Sequence, residues 1–516
     1  MSDLNPLGTT FATQLRHVQS LADTHEKANI AAEKVHVVGA GGTLSAVYEQ
    51  LRNAAEYTEE HLLLQRAIRR FYQRLYLSRS QNQIDNSGEE LIVELTLAGY
   101  VKNDSIPVAT TKKISELASQ YYRVMTELGD SKQASAWTLN VAAVEIESLL
   151  SEHGSQTVFA QFAHNHFIRS IDPTKVFGET RPNFEVALFV AIQRALLHAD
   201  SSTIRARLLK RYNISPQIDL QIYKSTNQQI DTLFSSEEVE KLYRLVNRQG
   251  APFRVLWRMV EDQPNAAEFL HSKDKFLRAY ETQINHEYEQ IHKRINRGII
   301  KSVIFLIITK FLVGVAIEVP YDYAVHGGIV WLPLIINLCF PPLYMLLLRT
   351  TLMIPGAANT TAMVDLMGRF LYGSTEAPMA SRRSSRSFGT VYNLVYGMFF
   401  LLVFGGVAWF LATLEFSFVH LLIFFVFLST ASFLGFRLST MIRELEVVDT
   451  DQGGVTVARD FLYMPFVVVG RWISEKYSRV NVVATFLDMV IELPLKTVLR
   501  LVRQWSAFIS SKKDEL

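Results

Sequence analysis

A single cysteine, Cys339, stands among the 516 residues, so an intrachain disulfide is impossible and a zinc site built on several thiolates is excluded. Cys339 lies within an apolar stretch, where burial is expected. No Gly-x-Ser-x-Gly nucleophile elbow and no Walker-type phosphate loop occurs anywhere in the chain. Enzymatic activity and a cofactor therefore have no positive support. Lysine and arginine total 52 against 50 acidic residues, a net charge of +2, and the basic residues form no extended stripe of the kind that tracks nucleic acid. Residues 1–20 lack the basic segment followed by an apolar run that marks a cleavable secretory signal.

Charge is also missing locally, and that absence is the strongest signal. Crossing a bilayer takes about 20 predominantly apolar residues, and four stretches qualify: 299–319, 329–348, 388–413 and 416–436. Lys293, Arg294 and Arg297 precede the first, whereas the connection 320–328 carries Asp322 and no lysine or arginine. Arg349, Arg369, Arg382, Arg383 and Arg386 fill the connection 349–387; Arg437 and Arg443 follow the fourth stretch. Because positive residues stay on the cytosolic side, this distribution predicts a multi-pass protein of the cell membrane with both termini cytosolic. Lys513 to Leu516 spell an endoplasmic-reticulum retention address, read here as coincidental because an even span count keeps it away from a lumen. Asn359-Thr360-Thr361 is discounted as a glycosylation site on the same ground.

The expected fold is all-α: a cytosolic helical region over 1–297, four membrane helices within 298–437, and an amphipathic cytosolic region over 438–516. Helical periodicity dominates from Thr10 to Arg297. Ser235-Ser236-Glu237-Glu238 fits a capping box, with Gly250 placed to end that helix; Asn86-Ser87-Gly88, Asn103-Asp104-Ser105 with Pro107, and Ser215-Pro216 mark further breaks. Neither proline nor glycine interrupts 265–297 apart from Gly298 just beyond it, which predicts a stalk helix running into the first span.

Three patterns look like binding motifs and fail on inspection. Val35 to Gly42 begins like a dinucleotide-binding turn, yet Leu44 stands at the third glycine position and 48–77 reads as a long helix, so a glycine break is the better reading. His286-Glu287 lacks the second histidine one turn on, where Gln290 stands. His164 and His166, two apart, diverge on a helix, and no cysteine completes a metal shell.

Within the membrane stretches the polar residues are few and therefore informative. Lys310 sits near the centre of the first, where a charge needs a polar interior or a partner; Asn337 lies in the second, among Pro333, Pro341 and Pro342. These two form the candidate intramembrane site. Ala408 with Ala412 and Ala431 with Gly435 are small pairs suited to close approach of the third and fourth helices. Arg349 and 369–372 are echoed by Arg437 and 461–463, which suggests a duplicated unit of hairpin plus amphipathic segment. At the C-terminal end, 471–509 is expected to form two helices split at Pro494. There Lys496, Arg500 and Arg503, with Leu501 and Trp505, suit the bilayer surface and anionic head groups.

The reading that follows is a non-enzymatic membrane-anchored helical scaffold or sensor whose cytosolic region binds a protein partner. The alternative is a transporter of a small solute or ion that uses Lys310 and Asn337. Oligomeric state is not legible.

Overall fold

The computed structural model describes residues 4–30, 32–37, 62–78, 81–129, 131–151, 154–179, 181–217, 219–263, 266–373, 390–448 and 454–479. Among them the secondary structure is helical, with one isolated bridge between Lys34 and Pro107 and no strand. The N-terminal region runs α1 (Pro6–Ile30), α2 (Leu63–Ser78), α3 (Gln81–Asp85), α4 (Ser87–Leu97), α5 (Val108–Glu127), α6 (Lys132–Leu150) and α7 (Gly154–Ser170). It continues through α8 (Pro173–Phe177), α9 (Phe184–Leu196), α10 (Ser201–Arg211), α11 (Leu220–Phe234), α12 (Glu237–Gln249), α13 (Ala251–Asp262) and α14 (Ala266–Phe269).

Local sequence explains these boundaries. In α12, Ser236 accepts a hydrogen bond from the Val239 amide, and Glu237, Glu238 and Glu240 meet the positive end of the helix dipole. Val239, Leu242 and Val246 then fall on one buried face. Gly250 ends α12 but also opens α13, with right-handed backbone angles. Glycine is needed there for space, because a Cβ would lie 2.6 Å from Leu196 Cδ2. The main core surrounds α9, in which Ala187, Leu188, Val190, Ala191 and Ile192 are all fully buried. A smaller core joins α2, α4, α5 and α6 with Val35 and Val37.

The stalk and the first membrane helix are one rod. α15 (Lys273–Val313) passes through a π turn at Gly314–Glu318 into α16 (Val319–His326), giving 54 continuous residues and roughly 80 Å of helix. The expected connection at 320–328 is consequently much shorter, since the chain turns only after His326, where Gly327 takes φ 73°. Pro320 has no N–H to give to the preceding turn, and the π turn immediately before it is the local rearrangement that lets the helix continue.

Three more helices are long and apolar enough to span a membrane: α17 (Trp331–Thr351), the 394–412 part of α19 (Thr390–Ala412), and α20 (Phe418–Arg443). On these three helices and the apolar part of the first rod, large side chains such as Ile308, Phe311, Leu347, Leu401 and Trp409 are more than 50% exposed. That surface suits hydrocarbon rather than water. α15, α17 and α20 pack on one another, whereas α19 lies at the edge, touching its neighbours through residues such as Val403, Phe404 and Leu411. Cys339 is exposed, not buried.

Two expectations about packing are corrected. Ala431 and Gly435 do not serve the third helix: a Cβ on Gly435 would meet Leu348 of α17 at 2.5 Å. Nor are the two supposed repeat units equivalent. α18 (Ala357–Tyr372) buries Met363, Met367 and Leu371 in the core of the N-terminal region. α21 (Gly454–Arg479), by contrast, packs along α20, with Gly470 against the Ser429 backbone and the Phe466 ring against Phe404 and Phe425. Arg471 therefore belongs to a helix that reaches the middle of α20. The remainder of the expected amphipathic pair, with Lys496, Arg500, Leu501, Arg503 and Trp505, lies outside the described residues.

Candidate functional site

Positions 310, 314, 318 and 322 recur every four residues along the first rod, and all four are buried. In an unbroken α-helix this spacing drifts around the axis. The wider π turn offsets the drift and keeps Lys310, Glu318 and Asp322 facing the bundle. Lys310, placed in the bundle interior as its depth requires, donates through Nζ to Glu318 Oε1 at 2.7 Å. The ammonium also sits 4.7 Å from the centroid of the Phe427 ring.

Asn337 arrives at the same carboxylate from α17, where Pro333, Asn337 and Pro341 share a buried stripe. Its Nδ2 donates to Glu318 Oε1 at 3.1 Å and to the His420 carbonyl at 3.3 Å. The structure thus brings Lys310 and Asn337 together through Glu318, and it adds three residues that sequence reasoning missed as site members: Glu318 itself, Asp322 and His420. Asp322, expected in an exposed connection, is fully buried. It accepts the Val330 amide on Oδ2 at 3.0 Å, while Oδ1 lies 3.2 Å from His420 Nε2 and 3.8 Å from His326 Nδ1.

His420 is held from the other side by its own helix cap. Ser417 opens α20, and its hydroxyl lies 2.9 Å from His420 Nδ1, with the Ser417 amide donating to the same nitrogen at 3.4 Å. A backbone N–H can only donate, so Nδ1 is the acceptor in the neutral ring and Nε2 carries the proton. Glu318 Oε2, Asn337 Oδ1, Asp322 Oδ1 and His420 Nε2 are buried with no hydrogen-bond partner among the described residues, so the last two lie close without forming a hydrogen bond. Lys310, Glu318 and Asp322 thus stand in one buried cluster, with Lys310 paired to Glu318, and ionisable groups so placed are costly in a bilayer.

Within the N-terminal region a cleft of about 1490 Å³ is lined by residues that include Tyr121, Glu145, Glu147, Arg207, Lys210 and Trp257. Arg207 donates to Gln156 and Gln193 there, and burial brings its guanidinium down to about 10. Burial, reinforced by Asp200, pushes Glu147 up to about 7. His164 and His166 are packed among aromatic rings, His164 beside Phe189 and His166 against Phe253 and Phe370. Burial moves His166 down to about 4. Val35 and Val37 enter the smaller core, and His36 faces Asp104 at 3.0 Å; the glycines of that motif lie outside the described residues. No family model matches the chain, and neither the curated proteins nor the solved structures include one with significant similarity to it.

Proposed function

We propose that this chain is a multi-pass membrane protein that moves a small cation or a proton between the two faces of the bilayer. One observation carries the reading: six polar side chains, His326, Asp322, His420, Asn337, Glu318 and Lys310, run from the distal end of the bundle toward its middle, with acceptor atoms left unpaired. His326 is 41% exposed at one end of this row, and Lys310 is 1% exposed at the other. The separation from Asp322 to Lys310 is 12 residues, roughly 18 Å along the helix. The arginine distribution supports a cytosolic N-terminal region and a distal mouth at His326.

The experiment is reconstitution into liposomes with imposed proton, sodium or potassium gradients. Wild type is expected to relax at least one gradient. Lys310→Met alone strands the Glu318 carboxylate, which costs about 3–5 kcal/mol and threatens folding, so the informative variant is Lys310→Met with Glu318→Gln. That double variant is expected to fold and to lose the flux. Liposomes that stay tight to all three ions with folded wild type would overturn transport.

A second reading, a membrane-anchored scaffold or sensor with a cytosolic protein partner, is favoured by a different observation. The N-terminal region is docked on the membrane helices: Arg254 donates to the Glu444 carbonyl through Nε and Nη2 at 3.1 and 2.6 Å, and Asn359 bonds the Leu445 carbonyl at 2.8 Å. Anionic lipid is the further contact proposed for Lys496, Arg500 and Arg503.

A further inference from the structure

We infer that the cleft of the N-terminal region is a binding site for a small organic anion, with its charged head at Arg207 and Lys210 and its apolar body against Trp257. The site stands apart from the intramembrane cluster and does not depend on the transport reading. Arg207 and Lys210 lie three residues apart on α10, so both project from one face of that helix, about one turn from each other, and both line the cleft of about 1490 Å³. The Arg207 guanidinium is held by two neutral groups, the side-chain carbonyls of Gln193 and Gln156. Among the described residues no carboxylate comes close enough to pair with it; Glu147 and Asp200 act on it at longer range. Burial has withdrawn this guanidinium from water, and a charge so placed, with amide oxygens as its close partners, is stabilised when an anion enters beside it.

The other charges of the cleft are already committed. Arg211 pairs with Glu185 at 2.7 Å, Arg258 pairs with Glu261 at 3.1 Å, and Arg254 donates to the Ala195 and Glu444 carbonyls. Glu145 is hydrogen-bonded by Tyr121, and burial takes Glu147 up to about 7, so near neutral pH it carries only part of its charge. Lys210 is exposed, forms no ion pair among the described residues and acts on Glu145 only at longer range. Arg207 and Lys210 are therefore the two cations of the cleft left for a ligand. An aromatic wall stands close to them: Gln156, which holds Arg207, lies one turn before Phe159 on α7, and the Phe159 ring is 5.3 Å from that of Trp257. Trp257 is half-buried and lines the cleft, which suits an apolar or aromatic body beside the charged head. Arg254 lines the cleft as well, so the site adjoins the junction between the N-terminal region and α20.

The test uses full-length protein in lipid nanodiscs and four probes of similar size: benzoate, phenyl phosphate, benzylamine and benzyl alcohol. Binding is read on the probe by saturation-transfer NMR, with empty nanodiscs subtracted. At least one of the two anions is expected to bind roughly tenfold more tightly than benzylamine and benzyl alcohol, and the better anion tells a carboxylate ligand from a phosphate one. Lys210→Glu reverses a charge at an exposed position, so it should weaken the anion by roughly tenfold or more and strengthen benzylamine. Arg207→Met should abolish anion binding; Lys210→Glu carries the test if that variant does not fold. Trp257→Leu should weaken both anions without changing which of them binds better. Equal binding of charged and neutral probes, binding of neither anion, or anion binding unmoved by Lys210→Glu overturns the proposal. Anion binding by a protein that moves no ions leaves the site standing and removes transport; ion flux in a protein that binds neither anion does the reverse.

Discussion

Glu147 shows at the scale of one residue what burial does to a charge. Its carboxyl lines the cleft of the N-terminal region and is pushed up to about 7, first by burial and then by Asp200. A carboxyl whose folded value is raised favours folding while protonated, and that advantage is lost as pH rises from the ordinary carboxylate range through about 7. Glu147→Gln removes the ionisation without changing size. The variant is therefore expected to match wild type near about pH 5 and to exceed it at about pH 8, by an amount of up to roughly 3 kcal/mol. Thermal unfolding of both proteins at the two pH values checks this; a variant less stable than wild type at the higher pH would show that Glu147 is ionised and paired when folded. The intramembrane residues follow the same physics with a different outcome, because Lys310 and Glu318 sit within 2.7 Å and neutralise each other.

At the scale of elements, Asn359 carries a disproportionate share of the contact between α18 and the segment after α20. Its Nδ2 donates to the Leu445 carbonyl and the Tyr288 hydroxyl, both at 2.8 Å, and its Oδ1 accepts the amides of Val447 and Val448 at 2.8 and 3.1 Å. Asn359→Ala would leave two buried or half-buried amides unpaired, at about 1–3 kcal/mol each. Hydrogen exchange at Val447 and Val448 is expected to speed up by roughly tenfold or more, since 1.4 kcal/mol is a factor of ten. Unchanged exchange there would mean that the segment is held by Arg254 and packing alone. The sequence pattern 359–361 had the look of a glycan acceptor, and only the fold shows an amide buried to 4% exposure.

The helices themselves were legible because hydrophobic length and period are local properties: four apolar stretches, the Ser236 cap and the unbroken stalk can all be read one window at a time. The site was legible only in half. Lys310 and Asn337 stand out against apolar neighbours, whereas Asp322 next to Pro320 reads as a loop until the π turn is known. His420 reads as a helix cap until Asp322 is placed opposite it. The available clue was the four-residue recurrence of Lys310, Gly314, Glu318 and Asp322, whose meaning depends on a helix that does not end at Val319.

At the scale of the whole molecule, the decisive quantity is which face of the membrane each turn occupies. Asp322 was the natural reporter for the first turn from sequence, but it is fully buried, so a label there would report packing. Gly328 is a better position, since nothing lies within 4 Å of a Cβ built on it. Thr413, exposed just before Glu415, serves the second turn without using Glu415 itself, whose φ of 62° strains a substitution. Thr361, exposed on α18, represents the arginine-bearing connection together with Ser384. Single cysteines at these positions belong on a Cys339→Ala background, because Cys339 is exposed on α17. If positive residues hold the N-terminal region in the cytosol, Gly328→Cys and Thr413→Cys react with an impermeant maleimide on intact cells, while Thr361→Cys and Ser384→Cys react only after permeabilisation. The reverse pattern would invert the protein. It would also place His326 at the cytosolic face, so that any proton reaching Asp322 and His420 would come from inside.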